Sequence, residues 1–125
     1  MLVIRSKEKK GHVTTEPYVR ELKLLASPLL QSEVTNISLG QSILPPGCKS
    51  SSHIHEKETE TWVVLSGEGT VILGNEKEIV KEEDIIIIPP GVPHQLDNHS
   101  NETFKVLWIY TPPGPEIDVL NKEHK

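Results

Sequence analysis

What this chain has little of narrows what it can be. It contains one cysteine, Cys48, so no disulfide can close within it and a reducing, cytoplasmic setting is expected. No apolar run approaches the length of a membrane span, and the four isoleucines Ile85 to Ile88 make only a strand-length stretch. The first residues carry Arg5, Lys7 and Glu8 where a secretory leader needs an apolar centre. Without a leader, the glycosylation-type triplets beginning at Asn36, Asn98 and Asn101 read as chance. Positive charge is also scarce: 13 Lys and Arg against 18 Asp and Glu leave a formal charge of -5, which offers nucleic acid or an anionic membrane no long-range attraction. The one basic cluster, Lys7 to Lys10, is interrupted by Glu8 and reads as a solvated terminus.

What remains is an ordinary folded chain. With 125 residues, 35% hydrophobic and 25% charged, it suits a single domain with a real core. Short apolar runs alternate with Gly, Pro and Asn, the pattern of an all-β sandwich or barrel. Strands are expected over Val34 to Leu44, Thr61 to Leu65, Thr70 to Leu73, Glu78 to Val80, Ile85 to Ile88, His94 to Asp97 and Phe104 to Tyr110. Ser66-Gly67-Glu68-Gly69 and Gly74-Asn75-Glu76-Lys77 read as turns. Pro-Pro-Gly occurs three times, at 45, 89 and 112, each after an apolar strand. Proline cannot donate to a ladder and glycine permits unusual dihedrals, so each tripeptide ends pairing and redirects the chain. Tyr18 to Ala26 fits a strand or a short helix, and Glu116 to Lys125 a frayed helix or a disordered tail.

The first two Pro-Pro-Gly turns each deliver histidine. In an extended strand alternate side chains share a face, so His53 and His55 point together while Ile54 points away. Glu60 follows at strand-plus-turn distance, on one face with Trp62 and Val64, and His94 comes directly after the second turn. Imidazoles with one carboxylate suit manganese, iron, nickel, cobalt, copper or zinc, not calcium or a structural thiolate zinc site. Four such ligands on an octahedral ion leave two positions open, and one carboxylate against a 2+ ion leaves about one net positive charge. The expected guest is a small anionic or oxygen-chelating molecule. The remaining histidines, His12, His99 and His124, lie in polar stretches and read as solvated; Glu56 and Glu58 read as a solvated loop. Cys48 reads as a small residue at a strand entrance, and Trp62, Trp108 and Tyr110 as core, with Trp62 best placed to line a pocket.

These residues resemble the cupin superfamily, small single-domain barrels of the conserved-barrel type. Gly47 to Gly67 is similar to the first cupin motif, G-x5-H-x-H-x3,4-E-x6-G, at every specified position. Glu83 to Asn98 resembles the second, G-x5-P-x-G-x2-H-x3-N, with Pro89, Gly91, His94 and Asn98 in register and Glu83 where the family has glycine. The resemblance implies an all-β double-stranded β-helix of jelly-roll type over residues 1–125, with a core barrel at about 30–112, an N-terminal strand extension at 1–29 and a C-terminal tail at 113–125. It implies His53, His55, Glu60 and His94 as ligands to one divalent transition metal ion per chain, and a homodimer. Two functions follow as expectations: a metal-dependent oxygenase, isomerase or lyase acting on a small molecule, or a non-catalytic module that binds a sugar or carboxylate. A purely structural jelly roll with vestigial histidines is the third and weakest reading.

Overall fold

A computed structural model describes residues 1–123, so His124 lies outside the described residues. Nine strands run through it: β1 (His12–Val13), β2 (Glu21–Ala26), β3 (Ser38–Leu44), β4 (Thr59–Ser66), β5 (Glu68–Leu73), β6 (Glu76–Lys81), β7 (Ile85–Ile88), β8 (His94–Asp97) and β9 (Phe104–Thr111), followed by one helix, α1 (Ile117–Glu123). They form two sheets with every named pair antiparallel, ordered β1-β2-β3-β9-β4-β7 and β6-β5-β8. This is the all-β jelly roll the motifs imply. No described helix is long and apolar enough to cross a membrane.

Alternation within β4 and β9 builds the core. Glu60, Trp62 and Val64 face inward from β4, and Phe104, Val106, Trp108 and Tyr110 from β9. They meet Leu22 and Leu24 of β2, Val71 of β5 and Leu96 of β8. Glycine matters at two positions here. Gly67 (φ +82°) is the whole connection between β4 in one sheet and β5 in the other, and a Cβ there would lie 2.2 Å from the Thr103 carbonyl oxygen. A Cβ on Gly40 would strike the Trp108 ring at 2.3 Å, so the bare backbone of β3 leaves that indole its room. Glu68 and Gly69, expected in a turn, belong to β5 because Gly67 alone turns the corner.

The ambiguous ends resolve through long-range contacts. Residues 21–26 are strand, paired with β3, where pairing supplies what local periodicity did not. The segment after Thr111 carries α1, which packs against β1 and β2. Glu116 anchors it: buried, it accepts hydrogen bonds from Ser27 Oγ and Ser38 Oγ at 2.8 Å each and from the Gly114 N–H. Ionised, the carboxylate can accept all three, and despite burial these donors hold its pKa below the ordinary value.

Two residues of the second motif prove architectural. Asn98, fully buried, donates to the carbonyls of Leu44, Pro45 and Glu102 and accepts from Ser100, tying the loop after β8 to the end of β3. Glu83 takes φ +76°, the left-handed conformation that the family's glycine adopts freely, and is held there by its N–H bond to the Val64 carbonyl at 3.0 Å. Replacing Asn98 by alanine should cost about 1–3 kcal/mol in chemical denaturation, because buried carbonyls lose their donor. Glu83→Gly should stabilise by about 0.5–1 kcal/mol, the relief of left-handed strain exceeding the added backbone entropy; an unchanged or lower denaturation midpoint would refute it.

Candidate metal centre

Two stretches of backbone bring the candidate ligands together. The chain from Gly47 to His55 runs antiparallel to β8 without forming a continuous strand. It makes only isolated bridges, Lys49↔Asp97 and His53↔His94, and the register slips by one residue between them. Ser50 occupies the slip, its Oγ accepting from the Leu96 N–H at 2.9 Å and its carbonyl from Gln95 Nε2 at 2.7 Å. Beyond the slip, His53 and His94 exchange both backbone hydrogen bonds, at 2.9 and 2.8 Å, and the Gly91 N–H holds the His55 carbonyl at 2.8 Å. His53 and His55 still share a side, with Ile54 turned to solvent.

His55, Glu60 and His94 converge, offering ligand atoms that all lie within 4.8 Å of one another. Atoms about 2.1 Å from a common ion would be about 3 to 4.2 Å apart, so modest contraction suffices. His53 stands beside this group rather than in it. Its ring centroid is 6.4 Å from that of His55 and 6.3 Å from that of His94, and its Nε2 lies 3.3 Å from Ser51 Oγ.

The orientation of the three is set from behind. Trp62 Nε1 donates to Glu60 Oε2 at 2.5 Å, which leaves Oε1 facing His94 Nε2 at 3.0 Å and His55 Nε2 at 3.4 Å. His94 Nδ1 lies 2.9 Å from the Val92 carbonyl, and a carbonyl can only accept, so the proton is assigned to Nδ1. In the neutral ring Nε2 then presents a lone pair to a carboxylate oxygen that is buried without a hydrogen-bond donor. Two lone pairs at this distance call for a positive charge between them, either a proton on His94 or a metal ion. The donor set, two or three imidazoles with one oriented carboxylate, fits a divalent transition metal.

Charge states agree with that need. Burial raises the Glu60 pKa, but contacts from His55 and His94, then Trp62, overcome it and bring the carboxyl to about 2. Burial lowers that of His94, but Glu60 outweighs it and the pKa ends raised. His53 is lowered to about 4, by burial first and then by the charges of Arg20, His94 and His55, so it is neutral at physiological pH.

The cluster lines a cavity of about 80 Å³ shared with Arg20, Trp62, Trp108 and Tyr110. Trp62, favoured from its face shared with Glu60, does line it, and so do Trp108 and Tyr110. Arg20 did not stand out in the sequence; once 21–26 is known to be strand, its period-two position with Leu22 and Leu24 marks it as an inward charge. His99 is exposed and pairs with Asp97 at 3.2 Å, away from the cluster. Cys48 is a partly buried free thiol.

Residues 40–110 match the Cupin_2 family model, described as a cupin domain. The uncharacterized protein MJ1618 of Methanocaldococcus jannaschii is 35% identical over 106 residues, covering 82% of this chain and 85% of that protein. The mannose-1-phosphate guanylyltransferase RfbM of Salmonella typhimurium is 34% identical over 64 residues, which are 51% of this chain and 13% of the enzyme. A Thermotoga maritima protein described as a predicted oxalate decarboxylase superposes with a TM-score of 0.80 at 23% identity, over 90% of this chain and 100% of that one, a likeness of fold alone.

Linkage between the two buried partners gives a sign. Glu60, depressed from 4.5, contributes stability above that value and loses it as pH falls toward about 2. His94, raised from 6.5, contributes below 6.5 and loses it as pH rises through its folded pKa. In metal-stripped protein, the Tm gap between wild type and Glu60→Gln should therefore be widest between about pH 4.5 and 6.5. A divalent ion displaces the His94 proton and should extend that gap to higher pH; a gap flat in pH with and without metal would contradict the assignment.

Proposed function

This chain belongs to the cupin family, and on that premise we propose that it is a metal-dependent catalyst acting on a small anionic or oxygen-chelating molecule. The observation that carries the reading is the buried Glu60 oxygen aimed at His94 Nε2 without a donor of its own. His55, Glu60 and His94 would hold one ion of manganese, iron, nickel, cobalt, copper or zinc, with His53 as the fourth ligand. When bound, the ion would supply Lewis acidity, and redox chemistry if it is not zinc.

The chain's own residues supply the rest. Trp62 pins Glu60 and the Val92 carbonyl pins His94, so the ligands are oriented before anything binds. Trp62, Trp108 and Tyr110 wall the cavity and exclude bulk water. Burial first, then the charge of Glu60, pushes the Tyr110 phenol well above its ordinary pKa, so its hydroxyl serves as a donor rather than a base. Asp118 of α1 also lines the cavity and is the carboxylate there outside the candidate ligand set, and the cavity's size restricts the guest to a small molecule.

A second reading has its own support. RfbM devotes only 13% of its length to the matching segment, so a domain like this one can sit within a larger protein and serve it as a ligand-binding module. We also infer a homodimer. Ile79, Ile85 and Ile87 are exposed around a groove of about 420 Å³ beside the free edge of β7, and Leu2 and Val3 are exposed at the N-terminus. Sedimentation at micromolar concentration should give twice the chain mass; a monomer would rule this out.

Elemental analysis of protein purified without chelator should give about one transition metal per chain, and the His55→Ala, His94→Ala double variant close to none. His53→Ala should lower the affinity by about 10- to 100-fold without abolishing binding. Turnover of a panel of carboxylates, diketones and sugar phosphates that disappears on chelation and returns with metal supports catalysis. Stoichiometric metal with binding and no turnover favours the module, and full metal content in the double variant would end both readings.

A further inference from the structure

Arg20 is a partly buried charge with few partners among the described residues. It stands just before β2, on the face of Leu22 and Leu24, and its backbone is fixed by exchange with Thr14: the Arg20 N–H donates to Thr14 Oγ1 and the Thr14 N–H to the Arg20 carbonyl, both at 2.9 Å. Its guanidinium makes one hydrogen bond among the described residues, from Nη1 to Ser42 Oγ at 3.1 Å, and pairs with no carboxylate among them. A guanidinium carries five N–H donors, and leaving them without acceptors in a desolvated site is costly. Burial lowers its pKa, with partial relief from the charges of Tyr110 and Glu60. Glu60 is nonetheless no ion-pair partner, since both its oxygens already face Trp62, His55 and His94.

The position of Arg20 gives the donors a direction. It lines the inner cavity with His55, Glu60 and His94, and also an adjoining groove of about 440 Å³ lined by the hydroxyls of Thr14, Thr15, Tyr18 and Ser51 and by Glu16 and His12. Only Arg20 and His53 belong to both, so a molecule reaching from the groove to the histidine cluster passes the guanidinium. Planar paired N–H groups match a carboxylate or a phosphate in bidentate fashion, and the carboxylate is the smaller of the two beside a cavity of about 80 Å³. A 2+ ion offset by Glu60 would leave about one positive charge and Arg20 adds a second, against Asp118 in the cavity and Glu16 in the groove, so the positive charge is local to the guanidinium and the histidine cluster and favours an acid group there.

We propose that Arg20 is the carboxylate-recognition residue of this site, holding the acid group of a small organic acid whose other oxygens face His55, Glu60 and His94 and whose remainder lies in the hydroxyl-lined groove. The position of those other oxygens rests on the metal reading above; the role of Arg20 toward the acid group does not.

Calorimetry with malonate, succinate and tartrate, each against its uncharged diamide, tests this on manganese-loaded and chelator-stripped protein, with manganese content measured on every sample. Wild type should bind at least one acid about 10-fold or more tighter than its diamide. Arg20→Gln should weaken that acid by about 10- to 100-fold, leave the diamide unchanged and so erase the preference. Arg20→Lys, which keeps the charge and loses the fork, should retain part of it and serves as the comparison should the glutamine variant fail to fold. Intact preference in Arg20→Gln, or no acid preferred by wild type, overturns the proposal. Manganese lost from Arg20→Gln also overturns it, since Arg20 would then be a counter-charge for the ligand cluster. Inorganic phosphate binding more tightly than every acid, in an Arg20-dependent way, overturns the carboxylate assignment. Arg20-dependent preference in stripped protein, with manganese held by no form, upholds the proposal while removing the metal reading.

Discussion

The site turns on one contact, the 3.0 Å approach of His94 Nε2 to Glu60 Oε1. Neither group is free to avoid the other. Trp62 holds the far carboxylate oxygen and the Val92 carbonyl holds the far ring nitrogen, so the two lone pairs are presented face to face inside the barrel. A buried acceptor opposed by another acceptor is unfavourable until a positive charge lies between them. The scaffold keeps this arrangement because Trp62 is itself buried in β4 and the acceptor for His94 is a backbone carbonyl.

That rigidity has a source further out. His53 and His94 exchange backbone hydrogen bonds, and Gly91 holds the His55 carbonyl, so the two redirected stretches are sewn to each other next to their histidines. The one-residue slip near Ser50 supplies the needed offset. A bulge of this kind re-aims side chains locally and costs only the ladder bonds that Ser50 restores with its hydroxyl and carbonyl. Asn98 fixes the far end of the same β8 segment by gathering three carbonyls, a structural task that leaves the metal chemistry to the histidines.

Around the cluster the interior divides into a tight inner space and a wider groove, with Arg20 at their junction. The chain is acidic as a whole, yet the local field at the cluster is positive once a cation is present. Local charge, not the net -5, decides what is attracted over a few ångströms, because distant exposed carboxylates are screened by solvent and salt. The C-terminal helix closes one side of the cavity through Val119, and its anchor is Glu116, a carboxylate drawn inward by Ser27 and Ser38.

Alternation and motif spacing were enough to read the all-β class and the face shared by Glu60, Trp62 and Val64, because those features depend on residues a few positions apart; His53, His55, Glu60 and His94 stood out as candidates through two separate motifs. The seven strands expected from those runs are all present, with several ends displaced by up to four residues, as at Ser38 and at the Gly67 corner. Tertiary structure decided what depends on distant chain. It made 21–26 a strand by pairing it with β3 and drew Glu116 into the interior through serines at 27 and 38. It gave Glu83 a left-handed backbone under its bond to Val64. It set three of the four candidate ligands within one group and the fourth beside it, and it turned Arg20 toward a cluster whose residues lie 33 or more positions away in the chain. Local physics chooses which way a side chain faces; only closure of the barrel chooses what it meets there.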